Sequence, residues 1–478
     1  MRLRILRDDA VRRSACGRRV GALASAIVLL AGGSAAAQSF QTGFTDDPAF
    51  TSPQASVWLQ RATASGASVI RVNASWAQIA ATEPADPANP ADPAYAWAGL
   101  DAEIGLVEQA GLTPLVLVNS APAWAEGPDM PATASPGSWE PSSSALQQFA
   151  VALATRYSGS FANPAAPGSV LPAVRDFQVW NEPNLSAYLA PQWTAATHGY
   201  SPASPALYRG LLNAFYAGVT SVIPGAFVVT AGTAPFGDPP GGERMPPAEF
   251  VRDLLCVSAK LKPLPCSDPA HFDALAHHPY AISSPYTPAL NADDVSIPDL
   301  WKLWRPLRVA ERTGRALPAG KKQLWVTEVG YDSNPPNPQG VPMTTFETWI
   351  EEALYELWSE HVSVVTWYLI QDQAEAANGQ TNESGMYYID GTAKPAQQAF
   401  AFPLVVDRRK RHHPLLWLRA PVAGRLVVSE RAGGGWRTLF ARTVTAHQIV
   451  ERSLAGVKAT SFQASVGGTS SLPWPTTG

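Results

Sequence analysis

The chain has 478 residues, of which 46% are hydrophobic and 15% are charged, and its formal net charge is −4 at pH 7. This length is enough for one large domain with a smaller one beside it. A mild acidic excess disfavours nucleic-acid binding, which depends on clustered lysine and arginine at the phosphates. We therefore expect no nucleic-acid partner.

The first 37 residues are typical of an export signal. Seven arginines precede or flank an apolar run over Val20–Ala31, and the small residues Ala35–Ala37 fit a signal-peptidase site. The apolar run has about 12 residues, short of the roughly 20 that a membrane-spanning helix needs. We predict a signal peptide over 1–37 and a secreted protein that begins at Gln38, with a membrane anchor as the alternative.

The cysteines predict a structural cross-link and no reactive site. Cys16 lies in the predicted signal, so that Cys256 and Cys266 remain, and in an oxidising compartment they can form a disulfide that closes a small loop. No CxxC or HExxH spacing occurs, so we expect no metal and no cofactor. The adjacent residues His277 and His278 would point to opposite sides of a strand and could not share one ion.

From about residue 38 to 400, short apolar runs alternate with longer helical patterns. The runs predict strands over Phe40–Gly43, Val69–Val72, Thr113–Val118, Phe177–Trp180, Phe227–Ala231, Phe272–Ala276, Gln323–Thr327 and Val362–Leu369. The helical patterns cover Leu100–Ala110, Ala145–Tyr157, Tyr208–Val222, Leu300–Thr313 and Thr345–Trp358. Such alternation indicates a parallel sheet, and eight units fit a closed (β/α)8 TIM barrel over 38–400. An open doubly wound sheet is the alternative, but no GxGxxG motif follows the first strand.

The pattern changes after residue 400, where short extended runs predict a small all-β, sandwich-like domain over 401–478. Its strand candidates are Leu415–Leu418, Arg425–Glu430 and Trp436–Leu439. This region carries no obvious catalytic residues. Trp417 and Trp436 could bind sugar, although core packing is the simpler interpretation of both.

Two glutamates follow two of the predicted barrel strands. Glu182 comes after the fourth strand in VWNEPN, and Glu328 comes after the seventh in LWVTEVGY. The C-terminal ends of barrel strands open on one face, so we expect both carboxylates at the mouth of the barrel. Glycoside hydrolysis needs such a pair, one carboxyl protonated and the other ionised. Two rim glutamates in salt bridges are the structural alternative.

The segments WNEPN and TEVGY resemble the two signatures of clan A glycoside hydrolases, closest in look to family 39 and the family 5-like, cellulase-type enzymes. Further similar segments, spread over most of 38–400, are SVIRVNASW, YAWAGLD, NSAPAWA and HPY. The resemblance implies a retaining O-glycosyl hydrolase acting on β-linked sugars. In that mechanism Glu182 would be the general acid/base and Glu328 the nucleophile, with their carboxyls about 5–5.5 Å apart.

The resemblance also implies supporting roles near this pair. Asn181 would hydrogen-bond the sugar 2-hydroxyl, a contact that strengthens in the transition state. Arg71 and Tyr280 would hold Glu328 ionised, and His278 would border the same pocket. A structural ion pair for Arg71 and core packing for Tyr280 are the alternatives.

Aromatic residues are expected to stack on sugar faces. The resemblance gives this role to Trp367 at the eighth strand, and we extend it to Trp124, which could instead only close the mouth of the barrel. Trp193, Tyr188 and His198 lie in the long segment after the fourth strand. They could shape outer sugar subsites or serve loop packing.

The sequence predicts a carbohydrate partner and leaves the sugar and the linkage open. A catalytically inactive carbohydrate-binding barrel is the main alternative, but both glutamates and Asn181 are present. A metal hydrolase on the same barrel is a third possibility, disfavoured by the missing ligand spacing. The proline-rich segments 82–94 and 332–341 should wall the site, but they match no subgroup defined by its substrate.

Overall fold

The computed structural model describes residues 40–374, 382–409, 414–432, 434–459 and 461–475. The predicted signal peptide over 1–37 lies outside these residues. Within them, no helix combines the length and the apolar character needed to cross a membrane.

Eight parallel strands form a closed barrel and follow one another around it in chain order. They are β1 (Gln41–Thr45), β2 (Val69–Ser75), β3 (Thr113–Asn119), β4 (Asp176–Val179), β5 (Phe227–Thr233), β6 (Ala274–His277), β7 (Gln323–Val326) and β8 (Val362–Trp367). Closure occurs where β1 pairs in parallel with β8, from Gln41 beside Val364 to Phe44 beside Trp367. The predicted (β/α)8 barrel is confirmed, and the open doubly wound sheet is wrong.

A helix follows each barrel strand. The helices are α1 (Ala55–Ala64), α2 (Ala98–Gln109), α3 (Ser143–Arg156), α4 (Ser204–Val222), α5 (Pro247–Leu254), α6 (Trp301–Arg312), α7 (Met343–Ser359) and α8 (Ala396–Ala401). The Ser142 hydroxyl caps α3 by accepting a hydrogen bond from the Ala145 amide at 3.3 Å. The sequence did not predict α1, α5 and α8, which are the three shortest of these eight helices and therefore show the fewest turns of periodicity.

Side chains alternate across each barrel strand, and this alternation positions the site. An inner apolar cluster includes Val69, Leu115, Val229, Ala276, Trp325 and Val364. Two residues further along four of these strands the same inward positions are polar, at Arg71, His278, Thr327 and Thr366. The barrel is therefore packed with apolar side chains at depth and with hydrogen-bonding groups beneath its mouth.

The described residues between 404 and 475 form two antiparallel sheets, which confirms the all-β character predicted after residue 400. Their strands are β9 (Leu404–Asp407), β10 (Leu415–Arg419), β11 (Gly424–Ala432), β12 (Gly435–Val444), β13 (Ile449–Ser453), β14 (Ser461–Val466), β15 (Thr469–Ser470) and β16 (Trp474–Pro475). Trp417 on β10 is fully buried against Tyr355 and Trp358 of α7. It is a core residue, whereas Trp436 on β12 is 44% exposed.

Cys256 and Cys266 form a disulfide bond in the segment after α5, with their Cα atoms 5.9 Å apart. The predicted cross-link is confirmed. It closes a short loop that lies away from the carboxyl ends of the strands.

Candidate active site

Glu182 and Glu328 lie together at the mouth of the barrel, just after β4 and β7. A carboxylate oxygen of each lies within 4.8 Å of the other. Their side chains are 14% and 16% exposed, respectively. Both carboxyls are therefore largely shielded from solvent, yet each remains reachable from the cleft.

Glu328 is held by two donors, one on each oxygen. Arg71 Nη1 donates to Oε1 at 2.5 Å, and the Tyr280 hydroxyl donates to Oε2 at 3.1 Å. Burial by itself would raise the pKa of Glu328. The charges of His278 and Arg71, with the hydrogen bonds from Arg71 and Tyr280, outweigh burial and lower this pKa. Glu328 is therefore arranged to be a carboxylate.

Arg71 is only 4% exposed, and its guanidinium also orients Asn181. Nη2 donates to Asn181 Oδ1 at 2.8 Å, while Nε donates to Gln178 Oε1 at 2.7 Å. Because a guanidinium can only donate, it fixes the carbonyl end of each amide towards itself. The Asn181 amino group is then turned away from Arg71, beside Tyr188, in the cleft that both residues line.

A chain of hydrogen bonds runs from Arg71 to Glu182. Gln178 Nε2 donates to Thr327 Oγ1 at 2.9 Å, and that hydroxyl lies 3.0 Å from His278 Nε2. The other ring nitrogen, Nδ1, lies within hydrogen-bonding distance of Glu182 Oε1, at 2.9 Å. His278 is fully buried and thus links Glu182, through this chain, to Arg71, the residue that holds Glu328.

The backbone that carries Glu182 is strained. Trp180 has a φ of 72° and Glu182 a φ of 35°, both in the left-handed region that side chains disfavour. The Glu182 amide donates to Gly232 O at 3.1 Å. Asn184 accepts from the Ala234 amide at 2.8 Å and donates back to its carbonyl at 3.1 Å. Asn184, the second asparagine of the WNEPN motif, therefore fixes the turn that carries Glu182.

Gly232 on β5 makes room for His278. A Cβ atom at this position would lie 2.1 Å from His278 Nε2 and 2.8 Å from Thr327 Oγ1. No side chain can be accommodated there without moving the imidazole that contacts Glu182. Gly232 is thus part of the site, although it carries no chemistry.

Glu182, His278 and Glu328 are also close enough to ligate one metal ion together. Both oxygens of Glu328 already accept hydrogen bonds, and one of the donors is the Arg71 guanidinium at 2.5 Å. A cation in the middle of the group would be repelled by this fixed positive charge. The arrangement suits proton transfer and nucleophilic attack better than metal binding.

The cleft has two lobes that meet at Glu328. The larger lobe has a volume of about 790 Å³ and includes Glu182, Tyr280, Asp332, Asn337 and Trp349 in its lining. The smaller has a volume of about 520 Å³ and includes Asp47, Arg71, Asn73, Gln78 and Asn119. Four residues line both lobes: Asn181, Tyr188, Glu328 and Tyr368. The segment 332–341 thus walls the larger lobe, as expected, whereas residues of 82–94 line a separate groove.

The predicted role of Trp367 requires correction. Trp367 is fully buried, its Nε1 donates to Ser384 O at 2.8 Å, and its ring packs against Phe346 and Phe400. A ring without exposed surface offers no face to a sugar. The next residue, Tyr368, is half-buried and lines both lobes.

Trp124 lies outside the residues that line either lobe. Its Nε1 donates to Ala80 O at 2.8 Å, and its ring meets Trp76 edge-on with centroids 5.7 Å apart. Sugar stacking by Trp124 does not fit this placement. The alternative of a packing role does.

Sequence reasoning missed five residues of the site: Asp47, Gln178, Gly232, Thr327 and Tyr368. Asp47 follows β1, so the rule that strand ends meet at the mouth could have found it. Gln178 and Thr327 occupy inward positions that a strict two-residue alternation would have identified. Burial raises the pKa of Asp47, against the opposing effects of Asn73 and Arg71.

No protein family model matches the sequence, and no curated protein matches it. Among solved structures, the chain is similar to a family 39 glycoside hydrolase from the gut symbiont Bacteroides cellulosilyticus WH2, with 17% identity and a TM-score of 0.52 over 87% of this chain and 80% of that one. A glucosidase from Croceicoccus marinus has 12% identity and a TM-score of 0.49, over 87% and 93% of the two chains. A family 39 β-xylosidase from Caulobacter crescentus has 14% identity and a TM-score of 0.46, over the same shares.

The first of these likenesses establishes the fold. At such low identity it shows the architecture and does not carry residue roles from one protein to the other. The fold and the site together define a (β/α)8 barrel with two carboxyl groups facing each other at its mouth. What the barrel does must be argued from its own residues.

Proposed function

We propose that this chain is a secreted, retaining glycoside hydrolase that cleaves β-linked O-glycosidic bonds. The observation that carries the proposal is the approach of the Glu182 and Glu328 carboxylate oxygens to within 4.8 Å. Retaining enzymes hold their two carboxyls about 5–5.5 Å apart, whereas inverting enzymes leave about 6.5–9.5 Å for a water molecule. The short separation supports direct attack by one carboxylate.

In the first step the Glu328 carboxylate attacks the anomeric carbon and forms an ester bond to the sugar. The bond to the leaving oxygen breaks, and that oxygen takes the proton of Glu182. In the second step Glu182 removes a proton from water, which attacks the anomeric carbon and releases Glu328. The lowered pKa of Glu328 supports its assignment as the nucleophile, because the attacking group must be ionised.

Two further residues support this chemistry by position. His278 Nδ1 lies 2.9 Å from Glu182 Oε1 and holds that carboxyl at the mouth of the barrel. The Asn181 amino group, turned outward by Arg71, is placed to donate to the sugar 2-hydroxyl. Hydrogen bonds at that hydroxyl strengthen as charge develops in the ring.

The two lobes suggest how a substrate lies in the cleft. Glu182 lines only the larger lobe, so the leaving group belongs there, while the attacked sugar occupies the smaller lobe with Asp47, Asn73 and Asn119. Arg71 is the one cation among the described residues that line either lobe, and its three donor nitrogens are already engaged. This supports a neutral sugar in the smaller lobe, because a uronate would meet no free positive charge.

Secretion is supported by two features of the chain. The N-terminal 37 residues have the charge and apolar pattern of a signal peptide. The Cys256–Cys266 disulfide fits an oxidising compartment.

The test is hydrolysis of a panel of aryl α- and β-glycosides of neutral pentoses and hexoses by the exported protein. The first product anomer would be identified by NMR before mutarotation. We expect one β-glycoside to be cleaved, with the β-sugar released first. Release of the α-sugar first would contradict the retaining mechanism. Absence of cleavage across the aryl panel and natural polysaccharides would favour the alternative, an inactive carbohydrate-binding barrel.

A further inference from the structure

We propose that a pocket beside the catalytic cleft binds the distal units of a neutral oligosaccharide substrate, on the leaving-group side of the scissile bond. This outer pocket is lined by Trp139, Trp193, Tyr200, Ser186, Gln192 and Glu243, among others, and has a volume of about 360 Å³. The inference rests on the proposed function, because it assumes a glycan in the catalytic cleft.

The aromatic rings of the outer pocket are each at least partly exposed. Tyr200 is 53% exposed, and Trp139 and Trp193 are half-buried. Most core tryptophans, such as Trp76, pack against other rings. Among the described residues, Trp139, Trp193 and Tyr200 take part in no ring–ring or cation–π pair. Aromatic faces that are open and not self-stacked are what the CH-rich faces of sugars pack against.

The outer pocket is rigidly built. Buried Gln192 donates from Nε2 to Pro183 O at 2.9 Å and to Leu189 O at 2.6 Å, and it accepts from Ser204 at 2.9 Å. Tyr200 lies on a short hairpin (Trp193–Ala196 with Gly199–Pro202), and its ring packs against Gly241. A Cβ atom at Gly241 would lie 2.4 Å from Tyr200 Cε2. The ring therefore rests on bare backbone, and a ligand meets a surface that is already formed.

One stretch of chain separates the outer pocket from the catalytic cleft. Ser186 and Ala187 line the outer pocket, and the next residue, Tyr188, lines both lobes of the cleft. The Ser186 amide donates to Glu243 O at 2.8 Å, which ties this wall to the segment after β5. The wall follows Glu182 closely in the chain. A glycan that leaves the cleft beside the acid group therefore passes over the wall into the outer pocket.

The charge of the outer pocket selects the class of ligand. Glu243 is the one charged residue among the described residues that line it. Ser135 and Ser186 supply neutral hydrogen-bonding groups beside the rings. Without a cation, the pocket offers nothing to a sulfated or uronate chain or to a nucleic acid. It fits a neutral oligosaccharide.

The test compares substrates of different length. Neutral β-1,4-linked xylo-, cello- and manno-oligosaccharides of two to six units would be hydrolysed by the full exported protein, by Tyr200→Ala and by Trp193→Ala. Loss of one stacking ring should lower kcat/KM for the six-unit substrate about tenfold more than for an aryl monoglycoside. Trp436→Ala, which removes an exposed tryptophan from β12, is the matched control and should leave both rates unchanged.

Equal losses of kcat/KM on the long and the short substrate would contradict binding of distal sugar units in the outer pocket. The same dependence on substrate length in Trp436→Ala would contradict it as well. A second arm titrates the hexasaccharides by calorimetry into Glu328→Gln with and without Tyr200→Ala. If nothing is hydrolysed but Tyr200→Ala still weakens hexasaccharide binding about tenfold, the proposed function fails and the outer pocket stands. If aryl glycosides are hydrolysed and Tyr200→Ala changes neither hexasaccharide binding nor turnover, the outer pocket fails alone. Absence of both hydrolysis and binding contradicts both proposals.

Discussion

The ends of β4 and β7 carry the same functional group in opposite surroundings. At the end of β7, Glu328 meets the Arg71 guanidinium at 2.5 Å and the Tyr280 hydroxyl at 3.1 Å. At the end of β4, Glu182 meets His278 Nδ1 at 2.9 Å and sits on strained backbone with a φ of 35°. One carboxyl is fixed by a permanent charge, and the other by a ring that can exchange protons.

Their surroundings give the two glutamates two different roles in one barrel. Arg71 cannot lose its proton in a protein, so its contact favours the ionised form of Glu328 at every working pH. An imidazole can act as a hydrogen-bond donor or as an acceptor, so His278 holds Glu182 without imposing the permanent charge that Arg71 places beside Glu328. Substitutions that have the same consequences at both strand ends would contradict this division of roles.

The largest effect is expected from Glu328→Ala. Without the nucleophile no ester intermediate forms, and we expect kcat to fall on the order of 10⁴-fold or more. Circular dichroism and the melting temperature should show a folded protein, because the Glu328 side chain lies at the cleft and not in the core. A variant with near-normal turnover would remove Glu328 from the mechanism.

Glu182→Ala should have a smaller effect that depends on the substrate. General acid catalysis contributes typically 10²- to 10⁴-fold, but an activated aryl leaving group needs little proton donation. We expect a loss of about 10³-fold on an oligosaccharide and a much smaller loss on a dinitrophenyl glycoside in the first step. The measurement is kcat/KM across a series of leaving-group pKa values. A loss that is the same for every leaving group would argue against the acid role.

Tyr280→Phe should shift the pH dependence of the reaction. The Tyr280 hydrogen bond is one of the interactions that lower the pKa of Glu328, so its removal raises that pKa. A nucleophile with a higher pKa becomes ionised only at higher pH, so the acid limb of the kcat/KM profile should move upward. The rate at the optimum should fall about tenfold, the value of one hydrogen bond to a charged group. An acid limb that stays in place or moves downward would contradict the contact's role.

Trp124→Phe should give the smallest catalytic effect. Trp124 donates to Ala80 O and packs on Trp76, outside both lobes, so the substitution should cost about 1–2 kcal/mol of unfolding free energy. We expect a lower melting temperature with an unchanged KM. Trp76→Phe, which alters the other ring of the same pair, is the matched control and should behave alike. A KM that rises in Trp124→Phe but not in Trp76→Phe would contradict the packing role and support sugar stacking by Trp124.

The fold could be predicted because the hydrophobic patterns of its helices and strands are regular. Long helices such as α4 and apolar strands such as β3 show clear periodicity, and their alternation indicates a parallel barrel. Glu182 and Glu328 were predictable because both follow strands whose ends must meet at one face. Short helices such as α8 were missed because a helix of 6 residues has fewer than two turns and shows little periodicity.

The rest of the site depends on register and packing that a sequence does not display. Trp367 and Tyr368 are neighbours, and only the position at which β8 ends decides which ring enters the core and which lines the cleft. Gly232 is needed because His278 passes close to its Cα, a contact between β5 and the end of β6. Such a contact leaves no local pattern in either segment.

The most direct test of the assignment is chemical rescue of the two glutamate variants by azide. In Glu328→Ala, azide replaces the missing nucleophile in a single displacement, so a β-glycoside should give the α-glycosyl azide. In Glu182→Ala, azide replaces water in the second of two displacements, so the same substrate should give the β-glycosyl azide. This pair of products, one from each variant, is the result we predict. The same anomer from both variants, or the reverse pairing, would contradict the assignment of Glu328 as nucleophile and Glu182 as acid/base.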